Sequence, residues 1–195
     1  MSKLYVSLVV LAFVVVTPAA LADNLDDALA AASFGNYEKA YQLWLIEAEN
    51  GSAIAQANIG LLYADGLGVP RSDKEAVKWY RMAAEQGEPR AQYYLGTVFE
   101  EGRGVPQDYK EAAKNYRLAA MKGYVNAQYK LGLLYLKGQG VEQSTEDAYA
   151  WWSVAASKGH EEAQKYRESA QQQMTPKQIE AAQRIAGRIW QESGN

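Results

Sequence analysis

The chain repeats itself every 36 residues, and this spacing restricts its fold more than any other feature. Gly51, Gly87, Gly123 and Gly159 stand one period apart, as do Ala55, Ala91, Ala127 and Ala163. The same step joins Gly60, Gly96 and Gly132; Tyr63, Phe99 and Tyr135; Gly66, Gly102 and Gly138; Gly68, Gly104 and Gly140; and Ala76, Ala112 and Ala148. A register held without a gap marks a repeat architecture, in which each unit buries its apolar face only against its neighbours.

Each unit reads as helix, turn, helix. In residues 88–123, Ala91, Leu95, Val98 and Phe99 share one helical face. Gly102-Arg103-Gly104-Val105-Pro106 then turns the chain, because Gly accepts positive φ and Pro cannot continue a helix. Asp108 caps the second helix, with Ser72 and Ser144 in the equivalent places. That helix carries Ala112, Tyr116, Ala119 and Ala120 on one face, and Gly123 closes it. The small residues let helices approach closely. The expected class is therefore all-α, a solenoid of helix-turn-helix repeats.

Three full units cover residues 52–87, 88–123 and 124–159. Residues 23–51 form an incomplete leading repeat or cap, since Ala40 stands one period before Ala76. Residues 160–173 supply the first helix of a fourth unit that is not completed. Residues 174–195 form a capping helix, opened by Thr175-Pro176-Lys177-Gln178 and striped by Ile179, Ala182, Ala186 and Ile189.

The first 22 residues read as a signal peptide. Lys3 precedes the apolar stretch Leu4 to Val16, and Ala20-Leu21-Ala22 offers a small-x-small cleavage site after Ala22. The run is shorter than the roughly 20 residues that span a bilayer, so no membrane span is expected after cleavage. The protein is expected to be periplasmic or secreted.

Composition removes several kinds of chemistry. There is no Cys, hence no disulfide, thiolate nucleophile or thiolate zinc site, and a single His excludes a two-histidine metal site. A net charge of −3 gives no reason to expect nucleic acid. His160-Glu161-Glu162-Ala163-Gln164 begins like a zinc-protease helix but has Gln at the second ligand position, so His160 reads as a solvent-facing helix start. Neither Ser-x-x-Lys nor Gly-x-Ser-x-Gly occurs. Glu100-Glu101 reads as a solvated face, because adjacent helix positions point about 100° apart. Of Tyr93-Tyr94 and Trp151-Trp152, one member of each pair is expected to pack in the stack and the other to offer a platform. No enzyme activity, cofactor or metal is expected.

The run Ala-Gln-x-x-Leu-Gly-x-x-Phe-x-x-Gly-x-Gly-Val-Pro-x-Asp, residues 91–108, followed by Ala112 and Ala119-Ala120, resembles the Sel-one-like repeat (SLR) family. This is a 36-residue relative of the tetratricopeptide repeat. Departures are small: Glu142 replaces a Pro, and Asn115 replaces Trp79 and Trp151. The resemblance implies an α/α right-handed superhelix that serves as an adaptor for protein partners. Exported bacterial members act in envelope assembly, secretion complexes or host contact. Cysteine-rich relatives described as acting on β-lactams are poor models for a chain without Cys.

In the tetratricopeptide-like arrangement the first helix of each unit lines the concave wall. Opposite the core direction of residues 88–123 lie Arg90, Tyr93, Thr97 and Glu100. The equivalent residues are Ile54, Ala57, Leu61 and Ala64 in the first unit, Asn126, Tyr129, Leu133 and Leu136 in the third, and Glu162 and Lys165 in the fourth. A stripe this apolar either marks an interaction site or is buried by tight superhelical curvature. The expected function is a non-catalytic scaffold that binds a protein partner, for example an envelope or secretion component, on that wall. Peptidoglycan binding, or an enzyme acting on peptidoglycan or β-lactams, is the alternative.

Overall fold

The computed structural model describes residues 18–193. The expected leader lies outside these residues except for 18–22, which begin the first helix. Ten helices follow in order: α1 (Pro18–Ser33), α2 (Tyr37–Glu49), α3 (Ala53–Asp65), α4 (Asp73–Glu85), α5 (Pro89–Glu101), α6 (Tyr109–Met121), α7 (Val125–Lys137), α8 (Thr145–Ser157), α9 (Glu161–Gln173) and α10 (Pro176–Glu192). No strand occurs among the described residues, and no helix among them is long and apolar enough to cross a membrane. The chain is an α/α right-handed superhelix in which each helix packs chiefly on its sequence neighbours.

The period is carried by seats as much as by faces. Tyr80, Tyr116 and Trp152 stand one period apart on the second helices and are almost wholly buried. Each ring lies on a glycine of the first helix of its own unit. A Cβ on Gly60 would stand 2.5 Å from Cδ1 and Cε1 of Tyr80, and one on Gly96 would meet the same atoms of Tyr116 at 2.5 Å. A Cβ on Gly132 would collide with the Trp152 indole. Two helices can approach this closely only where one side presents no side chain.

Successive units are locked at two further places. Gly102 (φ 71°) and Gly104 (φ 72°) take the left-handed conformation that ends α5 and turns the chain. A Cβ on Gly104 would stand 2.6 Å from the carbonyl oxygen of Asp73, so the turn of one unit rests against the start of the previous second helix. At the opposite end, the buried amides of Gln56, Gln92 and Gln128 donate to the carbonyls of Ala48, Ala84 and Ala120 at 3.0, 3.4 and 3.0 Å. These carbonyls lie in the last turn of a helix, where each also accepts the backbone N–H of Gly51, Gly87 or Gly123, so the amide is a further donor from the next helix.

The N-caps form where expected. The side chains of Ser72, Asp108 and Ser144 accept from the backbone N–H of Glu75, Glu111 and Asp147. Thr175 and Gln178 form a reciprocal capping box. From there α10 folds back along α8, with Ala182 packed beside Ala148 and Tyr149 and with Ile189 beside Ala150 and Trp151. This docking corrects one expectation. Trp151 and Trp152 are both buried, at 2% and 1% exposure, so neither offers a platform.

Candidate functional site

The stripe on α3, α5, α7 and α9 is partly open and mainly aromatic. Tyr93 is half-buried, with its ring 5.1 Å from Tyr124, 5.5 Å from Tyr94 and 5.7 Å from Tyr116. Tyr94 also stacks on Tyr80, at 5.0 Å with a 21° tilt. Of the Tyr93-Tyr94 pair, Tyr94 thus supports the stack and Tyr93 heads the wall. Burial raises the hydroxyl pKa of Tyr94 and of Tyr124, and the Arg90 guanidinium pulls both back. Arg90 is therefore the cationic edge of this tyrosine cluster.

A second cluster sits one unit on. Tyr129 stacks on His160 at 4.6 Å and tilts against Tyr166 at 5.7 Å, while Trp152 Nε1 donates to the Tyr129 carbonyl. Burial is the first cause that pushes the Tyr129 hydroxyl up to about 12, and the Tyr166 hydroxyl is the second. Tyr166 is 40% exposed, so this cluster opens to solvent through α9. A shallow depression of about 400 Å³, lined by Asn126, His160 and Glu162 among others, lies at the starts of α7 and α9. Asn126 is exposed there, as are Glu162 and Lys165.

Two residues behave differently from the sequence reading. His160 is not a solvent-facing residue. Its Nδ1 accepts from the Ala163 N–H at 3.2 Å, so it is the N-cap of α9, and the Tyr129 ring covers its face. Glu100 is not on a solvated face. The Tyr116 hydroxyl donates to its Oε2 at 2.5 Å, Lys130 Nζ donates to the same oxygen at 3.0 Å, and Thr97 Oγ1 lies 3.2 Å from that hydroxyl. Burial, followed by the Glu100 carboxylate, raises the Tyr116 hydroxyl pKa strongly, so this proton stays in place. The arrangement ties α5 to α7. Glu101 instead pairs with Arg103 at 2.6 Å.

Coverage of the remaining stripe changes along the rod. Ile54 is 48% exposed, while Ala57 and Ala64 are buried and Leu61 is half-buried. Leu133 and Leu136 are half-buried and pack on the cluster that contains Ala163 and Ala170 of α9. Curvature thus covers part of the third unit's stripe and leaves the first unit's end open. Among the described residues no group of three or more His, Cys, Asp or Glu could hold a metal ion.

The fold and motif have relatives. The Sel1 repeat matches at residues 53–88, 89–124 and 125–160, each beginning one residue after the boundaries drawn from the glycines. The chain is similar to the crystal structure of a protective antigen present in uropathogenic Escherichia coli strains, which displays an SLR fold. Identity is 31% and the TM-score 0.79, over 89% of this chain and 39% of that one. It is also similar to a Sel1 repeat protein from Oxalobacter formigenes, with 33% identity and a TM-score of 0.71, over 91% of this chain and 72% of that one. This chain therefore spans well under half of the antigen's length. No curated protein matches it. Three matched units, the glycine seats that space them and the interunit glutamines together make this chain a member of the Sel1 repeat family, whose fold is commonly a protein-interaction scaffold.

Proposed function

We propose that the protein is an exported scaffold of the bacterial envelope that binds a partner protein along the wall formed by α3, α5, α7 and α9. The observation that carries this reading is the pair of half-buried tyrosines one period apart, Tyr93 and Tyr129, each set in an aromatic cluster that orders its ring. Tyrosine held this way binds with little loss of side-chain freedom and keeps a polar tip for hydrogen bonding. Arg90 and the exposed Ile54 and Asn126 extend the surface, and Leu61, Thr97, Leu133 and Leu136 form its floor. Export rests on the leader that ends at Ala22, and it predicts that protein recovered from the periplasm or the medium begins at Asp23. The mechanism is display: a stack of rigid helices presents anchors at fixed spacing, and no bond is made or broken.

Crosslinking in living cells followed by mass spectrometry would identify the partner. Tyr93→Ala combined with Tyr129→Ala should keep the helical circular dichroism and lose capture of that partner. Unchanged capture would remove both residues from the reading. The tyrosine-rich wall also suits stacking on sugar rings. Retention of the purified protein by insoluble peptidoglycan, abolished by the same two substitutions, would move the assignment to cell-wall binding.

A further inference from the structure

The leading helical pair departs from the period at one buried position. Glu47 stands one, two and three periods before Ala83, Ala119 and Ala155, which are wholly buried. Glu47 is nearly as closed to water as they are, at 1% exposure. A carboxylate shut away from water is costly unless donors or a cation answer it. One donor is present: the Asn24 side-chain amide gives Glu47 Oε1 a 2.9 Å hydrogen bond. Among the described residues no cation forms an ion pair with it. Lys39, the one base in residues 23–51, lies exposed.

The register of α1 explains why Asn24 is there. Three residues (34–36) join α1 to α2, against seven (66–72) from α3 to α4, so α1 precedes α3 by 32 residues and not by 36. Ala28 then takes the place of Gly60, and it is wholly buried in the cluster that holds Trp44, one period before Tyr80. Asn24 takes the place of Gln56, whose amide bonds the preceding unit. No described helix precedes α1, and Asn24 bonds Glu47 of its own unit instead. The sibling first helices begin at Ala53, Pro89 and Val125, which corresponds to residue 21 in α1. Cleavage after Ala22 therefore cuts within the first turn of this register and creates an α-ammonium on Asp23, the residue immediately before Asn24.

We propose that Glu47 is the seat of the processed amino terminus: its buried carboxylate takes the α-ammonium of Asp23 as counter-ion, beside the Asn24 amide. The inference rests on the export reading, because the uncut chain has a neutral peptide N–H at this place. Each charge is costly alone. An ammonium at the start of a helix opposes the positive end of the helix dipole, and the carboxylate is out of water. Together they pin the first turn of α1 to α2, and so close the end of the rod built on Ala28, Trp44 and Ile59. Removal of the leader thus completes the N-terminal unit, whereas the uncut chain holds the carboxylate there without its cation.

The test compares two purified forms of the chain. One begins with a free amine on Asp23, released from a fusion by a protease that leaves no extra residue. The other retains Ala20-Leu21-Ala22 before it. Each is made with Glu47, with Glu47→Gln and with Glu47→Ala; Ala is what the sibling units hold at this position, so the last variant should keep the fold. Trimming to Asp23 should raise the thermal midpoint by about 2–4 °C more in the parent than in either variant. That excess should fade as pH rises through the titration of the amine, because an amine held charged by a carboxylate stabilises the fold below its folded pKa and not above it. Titration of the Asp23 amine followed by NMR should place it above the ordinary α-amino range in the parent and within that range in Glu47→Gln. An equal effect of trimming in all three backgrounds, or an amine that titrates alike in the parent and in Glu47→Gln, would overturn the proposal and leave export standing. Terminal sequencing of protein recovered from the periplasm or the medium separates the two readings: a start at Asp23 supports both, and any other start would overturn the export reading and this proposal with it.

Discussion

Gln128 Nε2 donates a 3.0 Å hydrogen bond to the carbonyl oxygen of Ala120, eight residues back and in the preceding helix. The side chain is wholly buried, and Gln92 and Gln56 repeat the contact one and two periods earlier. The carbonyl also accepts from the Gly123 N–H at 3.0 Å, so the amide is a second donor that ties one helix to the next. Gln128→Leu keeps the bulk and removes this bond between helices, so it should lower unfolding free energy by about 0.5–1.5 kcal/mol. Gln164 has the same place in the fourth unit, but it is exposed and donates to Glu168. Gln164→Leu should therefore shift stability by less than about 0.5 kcal/mol. Urea denaturation of the two variants beside the parent checks both values.

The Ala-Gln pair was readable in the sequence as part of a motif, but the task of Gln was not. A polar residue beside a core alanine looks like the edge of a solvated face until its carbonyl partner is known, and that partner belongs to another helix. Helix boundaries, caps and the glycine rhythm were legible because they depend on local backbone chemistry. Asn115 was legible as a departure from Trp, but the groove it leaves depends on Ala84, Leu95 and Phe99 meeting there from two other helices. His160 and Glu100 were misread for the same reason: Tyr129 and Lys130, which cover or pair with them, lie about 30 residues away.

Gly96→Ala tests the ring seats. Its methyl would meet Tyr116 ring carbons at 2.5 Å, and the ring is held by neighbours on all sides and by the Glu100 bond. Overpacking of this kind should destabilise by about 1–3 kcal/mol. Gly187 is also helical, but a Cβ there meets nothing within 4 Å. Gly187→Ala should then stabilise by about 0.5–1 kcal/mol through helix propensity alone. Opposite shifts in thermal midpoint are the expected result. Equal shifts would show that glycine at position 96 is not a packing requirement.

High pH should loosen the stack. Burial pushes the Tyr129 hydroxyl up to about 12 from 10. It raises Tyr80 and Tyr116 further, and the Glu100 carboxylate adds to the effect at Tyr116. A folded pKa above the unfolded one means that the neutral phenol is favoured by folding. Its contribution is complete below pH 10 and is lost as pH rises through about 12. Urea midpoints should accordingly be level up to pH 10 and fall beyond it. Tyr129→Phe should make the fall shallower. A stability that stays flat to pH 12 would show that these hydroxyls ionise without leaving their clusters.

Asn115→Trp should stabilise the protein, because the equivalent position holds Trp79 and Trp151 in the neighbouring units. The indole would lie as Trp79 does, half-buried across its seam and without the extra cover that Ile189 of α10 gives Trp151. Partial burial of a large aromatic at about 25 cal/mol per Å² favours folding by about 2 kcal/mol. The lost bond from Asn115 to the Glu111 carbonyl offsets about 1 kcal/mol of this. A net gain near 1 kcal/mol should raise the melting midpoint by about 2–4 °C in a chain of this length. Trp79→Ala, which opens the same seam one unit earlier, should lower it by more, since Trp→Ala in a packed site costs about 3–5 kcal/mol and half-burial places this one at the lower end. A midpoint that drops for Asn115→Trp would mean that Ala84, Leu95 and Phe99 do not leave an aromatic-sized seam, and that the middle unit is closed differently from its two neighbours.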